Sequence, residues 1–212
     1  MVKDNISKYI DYTLLKADAT DVMFKKLCDE AKEYGFYSVC VPPYMVKECR
    51  RFLKGSDVKI TTVAGFPLGY NSTASKVFET KNAIEDSADE IDSVINVSAL
   101  KSGNFDYISA ELAELRRAAQ KQVLKIIIET CCLSAGEIVG ASKLVCESGA
   151  DFVKTSTGFG SGGAKAEDIA LIKKSISGSV RIKASGGIKT YEQAKLFLNA
   201  GASRIGTSSV LV

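Results

Sequence analysis

Val123-Leu-Lys-Ile-Ile-Ile-Glu-Thr130 is the stretch from which the fold is read. It is almost continuously apolar, and most of its apolar residues are β-branched. A strand with one wet face alternates apolar and polar residues. A continuous run instead belongs to a strand covered on both faces, as in parallel sheets flanked by helices. Working outward, comparable short segments occupy residues 9–13, 38–41, 59–65, 90–96, 151–157, 180–185 and 203–207. Strand starts recur roughly every 20 to 33 residues, the length of one strand–helix unit. Helical patterns fill the intervals. Residues 18–34 open at Asp18, carry Val22, Leu27 and Ala31, and stop at Gly35. Residues 104–120 are rich in Ala, Leu, Glu and Arg, all strong helix formers. Ser134-Ala-Gly-Glu137 has the spacing of a capping box, and its helix ends at Gly149. No Pro- or Ser-rich linker interrupts the chain. Eight strands with seven intervening helices predict one α/β domain over residues 1–212, a closed (β/α)8 TIM barrel. The sequence reaches Val212 soon after the eighth strand, so the helix that would complete the last unit is expected to be missing.

Composition narrows the chemistry. The 212 residues are 46% hydrophobic and 25% charged, as in ordinary globular domains, and no apolar run approaches the roughly 18 residues of a membrane span. The opening MVKDNISKYIDYT lacks the apolar centre of a signal peptide, so a cytoplasmic location with no membrane partner is expected. A net charge of +3, with lysines spread along the chain, gives no nucleic-acid surface. None of the six cysteines forms a C-x-x-C pair, which leaves reduced thiols as the expectation. Histidine is absent altogether. Ser-His-Asp and Cys-His catalysis are therefore excluded, as are the usual Cys/His zinc sites, and no metal is expected. Proton transfer falls to Asp, Glu, Lys, Tyr, Cys or water.

Lysine is the informative residue. Lys154, in Asp151-Phe-Val-Lys-Thr-Ser-Thr157, and Lys183, in Val180-Arg-Ile-Lys-Ala-Ser185, both interrupt strands expected to be buried on both faces. The bland reading is a stem packed on the core with its amine in water. Two such lysines on consecutive strands argue otherwise. Ammonium groups about 4 Å apart repel by about 4 kcal/mol at an effective dielectric near 20. Repulsion and desolvation together push one amine toward its neutral, nucleophilic form. Asp92, in Glu90-Ile-Asp-Ser-Val-Ile-Asn96, is a candidate acid–base partner. Alternation alone leaves open whether Asp92, Val94 and Asn96 face inward, or Ile91, Ser93 and Ile95. Gly186 and Gly187 follow the seventh strand, and Thr207-Ser208-Ser209 follows the eighth, where barrel enzymes often hold phosphate. Thr155 to Gly158 can contribute from the sixth strand's loop. Gly158-Phe-Gly160-Ser-Gly162-Gly163 also fits a dinucleotide-binding G-x-G-x-x-G, but the following strand ends without the acidic residue that would hold a ribose.

Asp11-Tyr-Thr-Leu-Leu-Lys16, Val39-Cys-Val41, Gly65-Phe-Pro-Leu-Gly69, Glu90-Ile-Asp92, Ala99-Leu-Lys-Ser-Gly103, Phe152-Val-Lys-Thr-Ser-Thr-Gly-Phe159, Lys183-Ala-Ser-Gly-Gly-Ile188 and Arg204-Ile-Gly-Thr-Ser-Ser209 occur in that order. Together they resemble the deoxyribose-phosphate aldolase family nearly end to end. The resemblance implies Lys154 as a Schiff-base lysine, Lys183 as the second lysine that lowers its pKa, and Asp92 as a proton relay facing inward. It implies phosphate contacts at Gly158, Gly187, Ser208 and Ser209, with Thr13 and Cys40 near the pocket. The implied reaction is reversible cleavage of 2-deoxy-D-ribose 5-phosphate to glyceraldehyde 3-phosphate and acetaldehyde, without a cofactor. A homodimer is in keeping with the family. Tyr12 stands where many members carry histidine, and Pro42 where asparagine is common. Two alternatives remain open: another Schiff-base aldolase acting on a longer sugar phosphate, and a sugar-phosphate binding module without catalysis.

Overall fold

The computed structural model describes residues 6–211. Eight strands, each parallel to the next, close on themselves in sequence order. They are β1 (Ile10–Thr13), β2 (Ser38–Cys40), β3 (Lys59–Ala64), β4 (Glu90–Val94), β5 (Val123–Ile127), β6 (Phe152–Lys154), β7 (Arg181–Ser185) and β8 (Arg204–Thr207). Around them run α1 (Asp21–Glu33), α2 (Val46–Phe52), α3 (Thr73–Glu85), α4 (Val97–Lys101), α5 (Phe105–Ala119), α6 (Ala135–Glu147), α7 (Ala166–Ser175) and α8 (Tyr191–Ala200). The expected (β/α)8 barrel is the observed one. Short α4 is an addition to the seven expected helices; it shares the β4–β5 crossover with α5. No helix follows β8 among the described residues. No helix among them is long and apolar enough to cross a membrane.

Alternation divides each strand between two environments. Ile10, Val39, Ile60, Ile91, Leu124, Ile126, Val153, Ile182 and Ile205 point outward and join the buried helix faces in one apolar layer. Full burial of each such side chain contributes roughly 1.5–3 kcal/mol, and this layer holds the helices on the barrel. On α1 the seated residues are Phe24, Leu27, Cys28 and Ala31, whereas Val22 is 78% exposed. The expected apolar face was therefore right at Leu27 and Ala31 and wrong at Val22, which lies in the first turn. The Ser134–Glu137 capping box forms, and Gly149 follows the helix end with a positive φ of 76°.

The strands end earlier than the apolar runs suggest. Residues 128–130 and 155–157 were expected to continue β5 and β6, yet the regular strands end at Ile127 and Lys154, with only isolated backbone bonds from Ile128, Thr130 and Thr155 beyond them. Glu129 turns away in the left-handed region (φ 53°, ψ 66°). The segment after β6 brings Thr157 to the barrel's C-terminal mouth, where barrel enzymes carry their chemistry, and Glu129 from the segment after β5 packs against it.

Candidate active site

Charged residues occupy many of the inward-facing strand positions, alongside apolar Val63, Val94, Ile127 and Phe152. The register sets Asp92 beside Lys125 and Lys154 beside Lys183. Asp92 is therefore inward, with Glu90 on the same face. Asp92 Oδ1 accepts from Lys125 Nζ at 2.8 Å, and its Oδ2 accepts from both Lys154 Nζ and Lys183 Nζ at 2.8 Å. The two amines converge on a single oxygen rather than pointing apart. Lys183 also donates to Asp11, Lys125 pairs with Glu90 at 2.5 Å, and Arg204 reaches Asp11 at 2.7 Å and Glu90 at 3.0 Å. Ser38 and Thr61 hydroxyls complete the network by donating to Asp11 and Glu90.

A charge inventory identifies the weak member. Four cations (Lys125, Lys154, Lys183 and Arg204) face three carboxylates (Asp11, Glu90 and Asp92). Full ionisation would leave one surplus positive charge in a buried space, and burial penalises such a charge strongly. Lys183 and Arg204 each touch two carboxylates, and Lys125 lies within ion-pair distance of all three. Lys154 has only the Asp92 oxygen that it shares with Lys183. Burial alone would depress the Lys183 amine, but Asp11 and Asp92 outweigh it and hold that pKa above the ordinary lysine value. Lys125 is raised likewise, its burial offset by Asp92 and Glu90. Lys154 goes the other way. Burial is the main depressing influence and Lys183 the second, and Asp92 does not cancel them. Asp92, despite burial, is held well below the usual carboxylate range by Lys125, Lys154 and Lys183.

Above this network lies a cavity of about 320 Å³. Of the four interior cations, Lys154 alone borders it. The predicted residues Thr13, Gly158, Gly186, Gly187 and Ser208 also line it. Asp92 and Lys183 lie beneath it. Cys40 is fully buried inside the barrel, where burial raises its thiol pKa, and it does not line the cavity. Thr155 is likewise buried; its hydroxyl donates to Ser185 O and accepts from Ser185 N, fastening β6 to β7. Ser209 is also absent from the lining; its N–H donates to Thr207 Oγ1 at 3.0 Å. Gly186 has φ 87°, and a Cβ there would sit 2.9 Å from Gly163 Cα. Only glycine lets these loops close so tightly.

Sequence reasoning missed the inward placement of Lys125, Glu90 and Arg204, and missed Lys16, Phe159 and Lys189 on the cavity wall. Glu90 was detectable, since it lies two residues before Asp92 on the same face. Arg204 required the register, which places it opposite Lys183.

Fold and site together define a (β/α)8-barrel enzyme whose reactive end is organised around buried lysines. A family model described as DeoC/LacD family aldolase matches residues 6–209, and the chain belongs to that family. It is an aldolase, a carbon–carbon lyase. A deoxyribose-phosphate aldolase of Caldicellulosiruptor saccharolyticus is 54% identical over 212 residues, covering 99% of this chain and 96% of the relative. The solved structure of an aldolase called QR15 superposes with a TM-score of 0.93 at 43% identity, covering 97% of this chain and 92% of that one. A tetrameric deoxyribose phosphate aldolase from Aeropyrum pernix gives 0.89 at 30% identity, over 96% and 86% of the two chains.

Proposed function

We propose that the protein reversibly cleaves 2-deoxy-D-ribose 5-phosphate to D-glyceraldehyde 3-phosphate and acetaldehyde through a Schiff base on Lys154. The observation carrying this reading is that Lys154 alone combines access to the cavity with a half-share in one carboxylate. Its neutral form balances the interior charge, and a neutral amine is what carbonyl addition needs. Lys154 Nζ adds to the C1 carbonyl of the open-chain sugar, and loss of water gives an iminium. Removal of the C3 hydroxyl proton then breaks the C2–C3 bond. The bonding pair moves toward the iminium nitrogen, leaving an enamine and releasing glyceraldehyde 3-phosphate. The enamine takes a proton at C2, and water hydrolyses the new iminium to acetaldehyde and free Lys154. Asp92, held between the Lys125 and Lys183 ammonium groups and the Lys154 amine, relays these protons through a water molecule, while Lys183 stays charged. Gly158, Gly186, Gly187 and Ser208 cradle the phosphate, with Ser209 and Thr155 shaping their loops; Thr13 borders the sugar, and Cys40 packs beneath it.

Borohydride reduction in the presence of acetaldehyde, followed by peptide mass mapping, tests the reading. The expected result is one reduced ethyl adduct, on Lys154. An adduct on any other lysine, or none, removes the mechanism.

A further inference from the structure

Glu129 stands outside the chemistry just described, yet its placement is unusual. The residue is 6% exposed, and no cation lies within ion-pair distance of its carboxylate among the described residues. Its backbone takes a left-handed conformation that a glutamate rarely adopts. A buried carboxylate without a counter-ion persists only where specific donors satisfy it. The donors here come mainly from one residue. Thr157 N–H lies 3.2 and 3.3 Å from the two carboxylate oxygens, and Thr157 Oγ1 donates to Oε2. Cys131 Sγ, 3.8 Å from Oε1, adds a weak third contact. With its proton committed to Glu129, the Thr157 hydroxyl presents a lone pair to Phe159 N–H at 3.0 Å. A relay of hydrogen bonds therefore runs from Glu129 through Thr157 to Phe159 and brackets Gly158.

The loop is also seated directly on Glu129. A Cβ at Gly160 would lie 3.3 Å from Glu129 Cδ and 2.9 Å from Cys131 Sγ, so the backbone passes with no room for a side chain. Thr157, Gly158 and Phe159 line the cavity beside Gly186, Gly187 and Ser208. The Phe159 ring continues across the mouth to an edge-to-face contact with Phe66, centroids 5.3 Å apart.

We propose that Glu129 is a positioning residue for the phosphate end of the site, a clamp that fixes the Thr157–Phe159 turn so that Gly158 meets the substrate's phosphate. This rests on the phosphate cradle of the proposed function but assigns a role to a residue that touches no reacting atom. The variants are Glu129→Ala and Thr157→Val, with Thr157→Ser as the conservative control. Three quantities are read: binding of inorganic phosphate by calorimetry, KM and kcat for the sugar phosphate, and the rate of borohydride trapping with acetaldehyde, which carries no phosphate. Loss of the clamp is expected to weaken phosphate binding and raise KM roughly tenfold or more in E129A and T157V. Acetaldehyde trapping should stay within about twofold of wild type, and T157S should retain wild-type phosphate affinity. Unchanged phosphate affinity in E129A and T157V overturns the clamp. So does an equal loss of phosphate affinity and acetaldehyde trapping, since that reports general collapse. Absence of inorganic-phosphate binding in the wild type overturns it as well. A wild type that binds phosphate but gives no Lys154 adduct defeats the Schiff-base reading and leaves the clamp to be judged on phosphate binding alone.

Discussion

Lys154 and Lys183 are the same side chain on neighbouring strands, and both donate to the same oxygen of Asp92. Their opposite protonation preferences come from one extra contact, the Asp11 carboxylate that Lys183 reaches and Lys154 does not. Replacing Lys183 with leucine tests this directly. Lys183 lowers the Lys154 pKa, so removing its charge raises that pKa. The reactive amine is neutral above its pKa, so the acid limb of the pH–rate profile should move to higher pH. Activity near neutrality should fall by on the order of 10³-fold, with partial recovery as pH rises. A profile that keeps its acid limb in place would contradict this account of activation. The sequence made both lysines and Asp92 visible because each breaks an apolar run. It did not reveal the sharing of Asp92, because a contact across several strands leaves no trace in local spacing.

At the scale of elements, helices were legible where side chains satisfy their own ends. Ser134 Oγ accepts from Glu137 N–H, Glu137 Oε2 accepts from Ser134 N–H, and α6 begins where that spacing predicts. Ser134→Ala should cost about 1 kcal/mol of stability in urea denaturation and leave kcat and KM unchanged, because α6 starts away from the cavity. A change in KM would mean that this end of α6 supports the site. Strand ends were less legible. Isoleucine and threonine favour extended backbone whether or not a regular ladder continues, so residues 128 and 155–157 read as strand although the regular strands end before them. The carboxylate–Thr157 contact redirects the chain there, and its partners lie 28 residues apart.

For the molecule as a whole, closure of the barrel is what sets β1 against β8 and places Asp11 within 2.7 Å of Arg204, 193 residues later. Arg204 then joins β1, β4 and β8 through Asp11 and Glu90, with its guanidinium 3.5 Å from the Tyr37 ring centre. Arg204→Met should leave those carboxylates short of a buried partner and lower stability by about 3–5 kcal/mol, measured by urea unfolding. A loss below about 1 kcal/mol would show that the interior charges are compensated without it. By itself the sequence determined the strand–helix alternation, the candidacy of Lys154 and Lys183, the glycine-rich loops and the exclusion of histidine chemistry, because these depend on residue type and short-range period. Only the tertiary structure decided which cations share which carboxylates and which lysine opens to the cavity. Those outcomes depend on register around a closed sheet, where residues far apart in the chain become neighbours and one missing contact decides which amine carries the proton.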